Sequence, residues 1–140
     1  MSKPDGGETL EVRFRQVEAE LISKIPPNTV YGVESSEWLG GSFGLFINDR
    51  GKWSGKCDMM GYEIGMHPPL KELANELRDI IRDSLNMLKD PKHWKPTDRE
   101  GKDEALREEA IAGRLLKAGD TQLVEHLISR MQEIISELSV

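Results

Sequence analysis

Apolar residues recur at helical spacing in several stretches of this chain and alternate at strand spacing in its middle. From Thr9 onward Leu10, Phe14, Val17, Leu21 and Ile25 return at three- and four-residue steps, with Ile22 beside them. That spacing predicts a helix with one apolar stripe, stopped by Pro26-Pro27-Asn28. A second and cleaner stripe, Leu70, Leu73, Ala74, Leu77, Ile80, Ile81, Leu85 and Leu88, follows Pro68-Pro69 and ends before Pro91; proline is tolerated in a first helical turn. The segment from Glu104 to Lys117 favours helix by composition, although its apolar residues gather on no single stripe. Ala118-Gly119-Asp120 breaks it. Asp120 or Thr121 can cap a last helix bearing Leu123, Val124, Leu127, Ile128, Met131, Ile134, Ile135 and Leu138.

Between the first two helices the period changes to two. Asn48-Asp49-Arg50-Gly51 has the chemistry of a type I turn followed by a glycine in the left-handed region, which closes a three-residue hairpin loop. Closing it on Asn48 and Lys52 pairs Ile47 with Trp53, Leu45 with Gly55 and Phe43 with Cys57. All six fall on one face, so turn chemistry and alternation choose the same register. Phe46, Lys52, Ser54 and Lys56 fall on the other. Thr29 to Val33 is β-branched and aromatic and predicts a short strand before the hairpin, interrupted by Gly32. After Cys57 the alternation slips, which predicts a bulge or break near Met59-Met60-Gly61 and a further strand to Ile64. Gly44, Gly51, Gly55, Gly61 and Gly65 crowd this region. Glycine weakens a strand unless a neighbour needs the missing side chain, and Leu45 opposite Gly55 suggests a large residue lying over a small one.

These elements predict an α+β fold: a two-layer sandwich of a small antiparallel sheet of three or four strands, with an N-terminal helix, a long central helix and two C-terminal helices. Phe43, Leu45, Ile47 and Trp53 should face the helices. The 140 residues suit one domain. Residues 1–8 read as a flexible tail, 89–103 as a charged, proline-containing linker, and 104–140 as a helical pair. The sequence leaves open whether helix 104–117 packs in the domain or on a second subunit. The apolar face of the last helix suits burial at home, with a homodimer through this C-terminal helix as the competing use.

Composition narrows the chemistry. Charged residues at 31% and hydrophobic residues at 37% are those of a globular protein. No apolar run reaches the length of a membrane span and the N-terminus lacks a signal-peptide core, so a cytoplasmic location and no membrane partner are expected. A net charge of −6 disfavours nucleic acid and anionic lipid and suits a partner with a basic surface. One cysteine, Cys57, allows no internal disulfide and no zinc cluster. It reads as a buried thiol on the apolar face. His67, His93 and His126 have no metal-ligand neighbours at usable spacing. The glycines at 40–44 match no phosphate-binding fingerprint. No catalytic residue, cofactor or metal is therefore expected.

Two surface features remain. On the central helix Glu72, Glu76, Asp79 and Asp83 recur at four-, three- and four-residue steps and should form an acidic ladder pointing directly away from the core. Lys71, Arg78, Arg82 and Lys89 form a second stripe. Such a ladder, with Trp38 as a nearby aromatic anchor, would meet the basic surface of another protein. The alternative is a nucleotide-like small molecule held by Phe46, Arg50, Lys52 and Lys56 with Lys92, Trp94 and Lys95, where aromatic rings stack and lysines neutralise phosphate. In size, acidity and lack of a catalytic signature the chain resembles the stoichiometric inhibitors of bacteria and phages, immunity proteins above all. The expectation is a non-catalytic protein that binds and neutralises a toxin or defence component.

Overall fold

The computed structural model describes residues 9–35, 43–57, 60–89 and 99–139. Trp38, Lys92, His93, Trp94 and Lys95 lie outside them, as do the N-terminal eight residues and Met59. The elements run α1 (Leu10–Lys24), β1 (Val30–Ser35), β2 (Gly44–Asn48), β3 (Lys52–Cys57), β4 (Met60–Met66), α2 (Leu70–Lys89), α3 (Arg99–Leu116) and α4 (Asp120–Leu138). The strands form one antiparallel sheet in the order β1-β2-β3-β4, and helices pack on it. This is the α+β sandwich that the hydrophobic pattern predicts.

The hairpin carries the register. Ile47 pairs with Trp53 and Leu45 with Gly55, and the ladder ends at Gly44–Lys56, short of the expected Phe43–Cys57 pair. Its turn is held by Asn48, whose side-chain oxygen accepts from the backbone N–H of Arg50 and of Lys52, both at 2.9 Å. Gly51 stands at φ 86°, the left-handed geometry the loop requires. Phe43, Leu45, Ile47 and Trp53 are all buried against the helices. α4 lays its whole apolar face, Leu123 through Ile135, against α1, α2 and β1. That face is covered within the chain.

Several boundaries differ from those the sequence suggests, each for a local reason. β1 runs on to Ser35 because a bulge between Gly32 and Glu34 lets it continue past the interrupting glycine. The bulge also turns Glu34 to the helix side, where its Oε1 lies 3.2 Å from Arg130 Nε and 3.4 Å from His126 Nε2. β3 ends at Cys57 and β4 begins at Met60, consistent with the expected break there, of which Met59 lies outside the described residues. β4 runs on past Ile64 to Met66, and a further irregularity falls at Ile64, where Glu63 pairs with Ser54 and Gly65 with Trp53, leaving Ile64 extra. Tyr62 pairs with Gly55 on the helix side, so Met60, Tyr62 and Ile64 change phase because they begin a new strand. α3 begins at Arg99, five residues before the expected Glu104, so the linker is shorter than 89–103. α4 is capped by Gly119, whose N–H donates to Gln122 Oε1 at 3.1 Å, in place of a cap by Asp120 or Thr121.

Candidate functional site

The sheet ends at β4, and β4 projects past the helical layer. α2 packs on β2 and β3, while five of the seven β4 residues are exposed. Met60 is 74% exposed, Met66 52% and Tyr62 38%. Large apolar side chains on an edge strand are unusual, because that edge also offers unpaired backbone groups to any other chain.

Above this edge runs the acidic row of α2. The row lies beside the apolar stripe of the helix, and the expectation that it points directly away from the core is corrected here. Its inner members reach down to the sheet: Glu76 Oε1 accepts from the Tyr62 hydroxyl at 2.6 Å, and Asp83 Oδ2 accepts from the Cys57 thiol at 3.1 Å. The outer members, Glu72 and Asp79, are exposed, with Asp79 3.0 Å from Arg82. The reason is helical geometry, since a stripe flanking the core face overlooks the strand beside the ones its helix covers. Arg78 leaves the basic stripe altogether and pairs with Asp120 at the start of α4. Cys57 is half-buried at the end of β3, not sealed in the core.

The Tyr62 phenol is pushed well above the ordinary tyrosine range by partial burial first, then by its hydrogen bond to Glu76 and by electrostatic interaction with Glu76, Cys57 and Asp79. The folded chain therefore holds this proton more tightly than the unfolded chain does. The resulting stabilisation is complete below the unfolded value of about 10 and is lost as pH rises through the folded one. In an alkaline titration followed by tyrosinate absorbance, we expect a late-ionising fraction that disappears in Tyr62→Phe. Full ionisation at the ordinary value would refute the Tyr62–Glu76 contact.

The outer face of the sheet carries the second predicted set. Phe46, Lys56, Ser54, Val30 and Glu63 border a shallow concavity of about 470 Å³. The Phe46 ring lies over two glycines: a Cβ on Gly44 would come within 3.0 Å of it and one on Gly32 within 3.2 Å. Lys52 is turned to Glu63 at 3.1 Å, and Arg50 is exposed at the hairpin tip. Phe46 and Lys56 are thus brought together, whereas Lys52 and Arg50 do not line the concavity.

A third cluster has no counterpart in the sequence reading. Glu18 of α1 is 1% exposed, the one buried charged group among the described residues. Its Oε2 accepts from Trp53 Nε1 at 2.6 Å, and its Oε1 lies 3.1 Å from Arg15 Nη1 and 3.1 Å from His67 Nδ1. Arg15 also donates to the Pro68 carbonyl at 2.6 Å. His67 stands at φ 46°, a conformation uncommon outside glycine, which turns the chain into α2 with its ring beside Glu18. The cluster ties α1, β3 and the β4–α2 connection together. With the carboxylate sealed and all three partners of hydrogen-bonding type, the arrangement is a structural clasp.

Comparison with protein families, curated proteins and solved structures finds no match to this chain. Function therefore rests on the geometry alone. Among the described residues no three His, Cys, Asp or Glu side chains are placed to hold a metal ion, and no helix is long and apolar enough to cross a membrane. The sequence reading missed Met60, Tyr62 and Met66 as surface residues. The signal available was the phase change after Cys57, which announced a strand starting beyond the hairpin but not its place at the edge of the sheet.

Proposed function

We propose that this chain is a non-catalytic binding protein that neutralises another macromolecule by stoichiometric attachment, in the manner of proteins directed against toxins or defence components. The observation that carries the reading is the apolar stretch of the β4 edge on the helix side, Met60 and Tyr62, with the Tyr62 hydroxyl bonded to Glu76 in the acidic row of α2. An apolar strip with an acidic rim is the anatomy of a protein-binding surface: the strip supplies contact area, while the rim selects a basic partner and speeds its approach. The net charge of −6 acts in the same direction. A cytoplasmic site of action agrees with the composition of the chain.

The test begins with a partner recovered from the native cells, identified and repurified. Reversing Glu72 and Asp79 together, E72K with D79K, should weaken its affinity about tenfold and flatten the salt dependence, since each exposed ion pair is worth about 0.2–1 kcal/mol and reversal replaces attraction by repulsion. Both side chains are exposed, so unfolding midpoints should stay nearly constant. Unchanged affinity in a folded double variant would sink the reading.

One observation favours a second reading, a nucleotide-like ligand on the opposite face of the sheet. The concavity beside Phe46 offers a ring for stacking and Lys56 for an anionic group. A thermal-shift screen of nucleotides tests this second reading, because a ligand present well above its dissociation constant raises the unfolding midpoint, and silence across the screen would count against it.

A further inference from the structure

The way the partner is held can be taken one step further, on the reading of β4 and α2 as the binding surface. We infer that β4 accepts a fifth strand: an extended segment of the partner, with lysine or arginine at alternate positions, pairs along Met60–Glu63. In an antiparallel ladder the backbone groups of alternate residues point away from the neighbouring strand. β4 gives one set to β3 through the pairs Cys57–Met60, Lys56–Gly61, Gly55–Tyr62 and Ser54–Glu63, and its other set faces outward at the edge of the sheet. The regular stretch is short. It ends where Ile64 is extra and Gly65 stands at φ 122°, a bulge of the kind that closes an edge to further pairing.

Side chains of an added strand would alternate between the two faces, and β4 treats those faces differently. On the helix side the segment would meet Met60 and Tyr62, with Glu76 bonded to Tyr62 and the rest of the exposed acidic row, Glu72 and Asp79, on the same helix. On the outer side it would meet Gly61, which presents no side chain, and Glu63. Basic residues at every second position, long enough to cover a methionine with the stem and reach a carboxylate with the head, fit the helix side. Backbone pairing supplies affinity in this mode and the alternating side chains supply selectivity.

A second copy of the chain fits the same edge badly. An isologous antiparallel pair of β4 strands continues one sheet across a two-fold axis, which puts both α2 helices on the same face. The acidic rows would then confront each other over the junction, and Glu63 adds a like charge on the outer face. Charge complementarity therefore selects a foreign basic strand over self-pairing.

Three synthetic peptides test the inference against the intact chain: alternating lysine–threonine, alternating glutamate–threonine, and the lysine peptide methylated at alternate backbone nitrogens. The lysine peptide should shift the amide resonances of Met60–Glu63 and lose affinity as salt is raised. The glutamate peptide should leave them unchanged. Backbone methylation removes donors without changing charge and should cost about tenfold in affinity. Equal binding of the methylated peptide would overturn strand addition while leaving the wider reading intact, provided the native partner still responds to E72K with D79K. Loss of both responses would overturn both. Concentration-dependent shifts at β4 without peptide, with dimers in sedimentation, would assign the edge to a second copy and overturn the inference.

Discussion

Glu18→Ala should lower the unfolding free energy by about 3 kcal/mol, the lower end of the range for breaking a buried charged cluster. The buried indole N–H of Trp53 would lose its acceptor at 2.6 Å, and truncating a side chain that is 1% exposed leaves a cavity. Arg15 and His67 soften the loss, because both side chains reach solvent and can exchange the carboxylate for water. Glu18→Gln keeps an oxygen for the indole and should lose only about 1.5 kcal/mol, the value of a charge-assisted hydrogen bond. Trp53→Phe removes the donor and leaves the ring volume largely filled. A double-mutant cycle between Glu18→Ala and Trp53→Phe, read by denaturant unfolding, should give a coupling energy of about 1–3 kcal/mol. A coupling indistinguishable from zero would mean that the clasp adds nothing to stability.

Glu18 also marks how far the sequence could be read. Phe14, Glu18, Leu21 and Ile25 follow one another at helical steps, so the position of Glu18 on the buried stripe was visible. Its donors were not. Trp53 lies 35 residues away on β3 and His67 lies 49 away, and the pairing depends on how α1 crosses the sheet. The hairpin was legible because two independent local codes, the Asn48–Gly51 turn and the period-two alternation, had to agree. The helices were legible from their stripes, with α3 least so, since few of its apolar residues share a face. The acidic row was legible as a row, but its aim was not: the direction of a flanking stripe depends on which strands the helix covers, a tertiary fact. The edge of the sheet was hidden for the same reason. Strand order decides which residues stand at an edge, and the alternation of Met60, Tyr62 and Ile64 alone fits a central strand as well.

Gly44→Ala should be among the most damaging single-methyl additions in the sheet, at about 1–3 kcal/mol. Replacing a strand glycine with alanine would otherwise gain roughly 0.5–1 kcal/mol by restricting the unfolded chain, so the sign of the result tests the packing directly. The new Cβ would stand 2.6 Å from the carbonyl oxygen of Glu34 and 3.0 Å from the Phe46 ring. A backbone oxygen inside the β1–β2 ladder cannot swing aside; the strands must part or the bulge at Gly32–Glu34 must shift. Gly55→Ala offers the contrast. Its Cβ would lie 2.4 Å from the Tyr62 ring, a closer approach, yet the obstacle is the far end of a side chain already 38% exposed. Tyr62 can turn outward and give up its hydrogen bond to Glu76, which limits the cost to about 0.5–1.5 kcal/mol. The large residue that needs the space at Gly55 is thus Tyr62, from β4, and not the Leu45 that the hairpin register alone suggests. In a Tyr62→Ala background Gly55→Ala should become neutral or stabilising, whereas Gly44→Ala should remain as harmful as before. If both substitutions respond alike to removal of Tyr62, the account of what each glycine makes room for is wrong. The distance of approach would then be a poor guide to cost in this sheet, and the rigidity of the group approached would not be the deciding quantity.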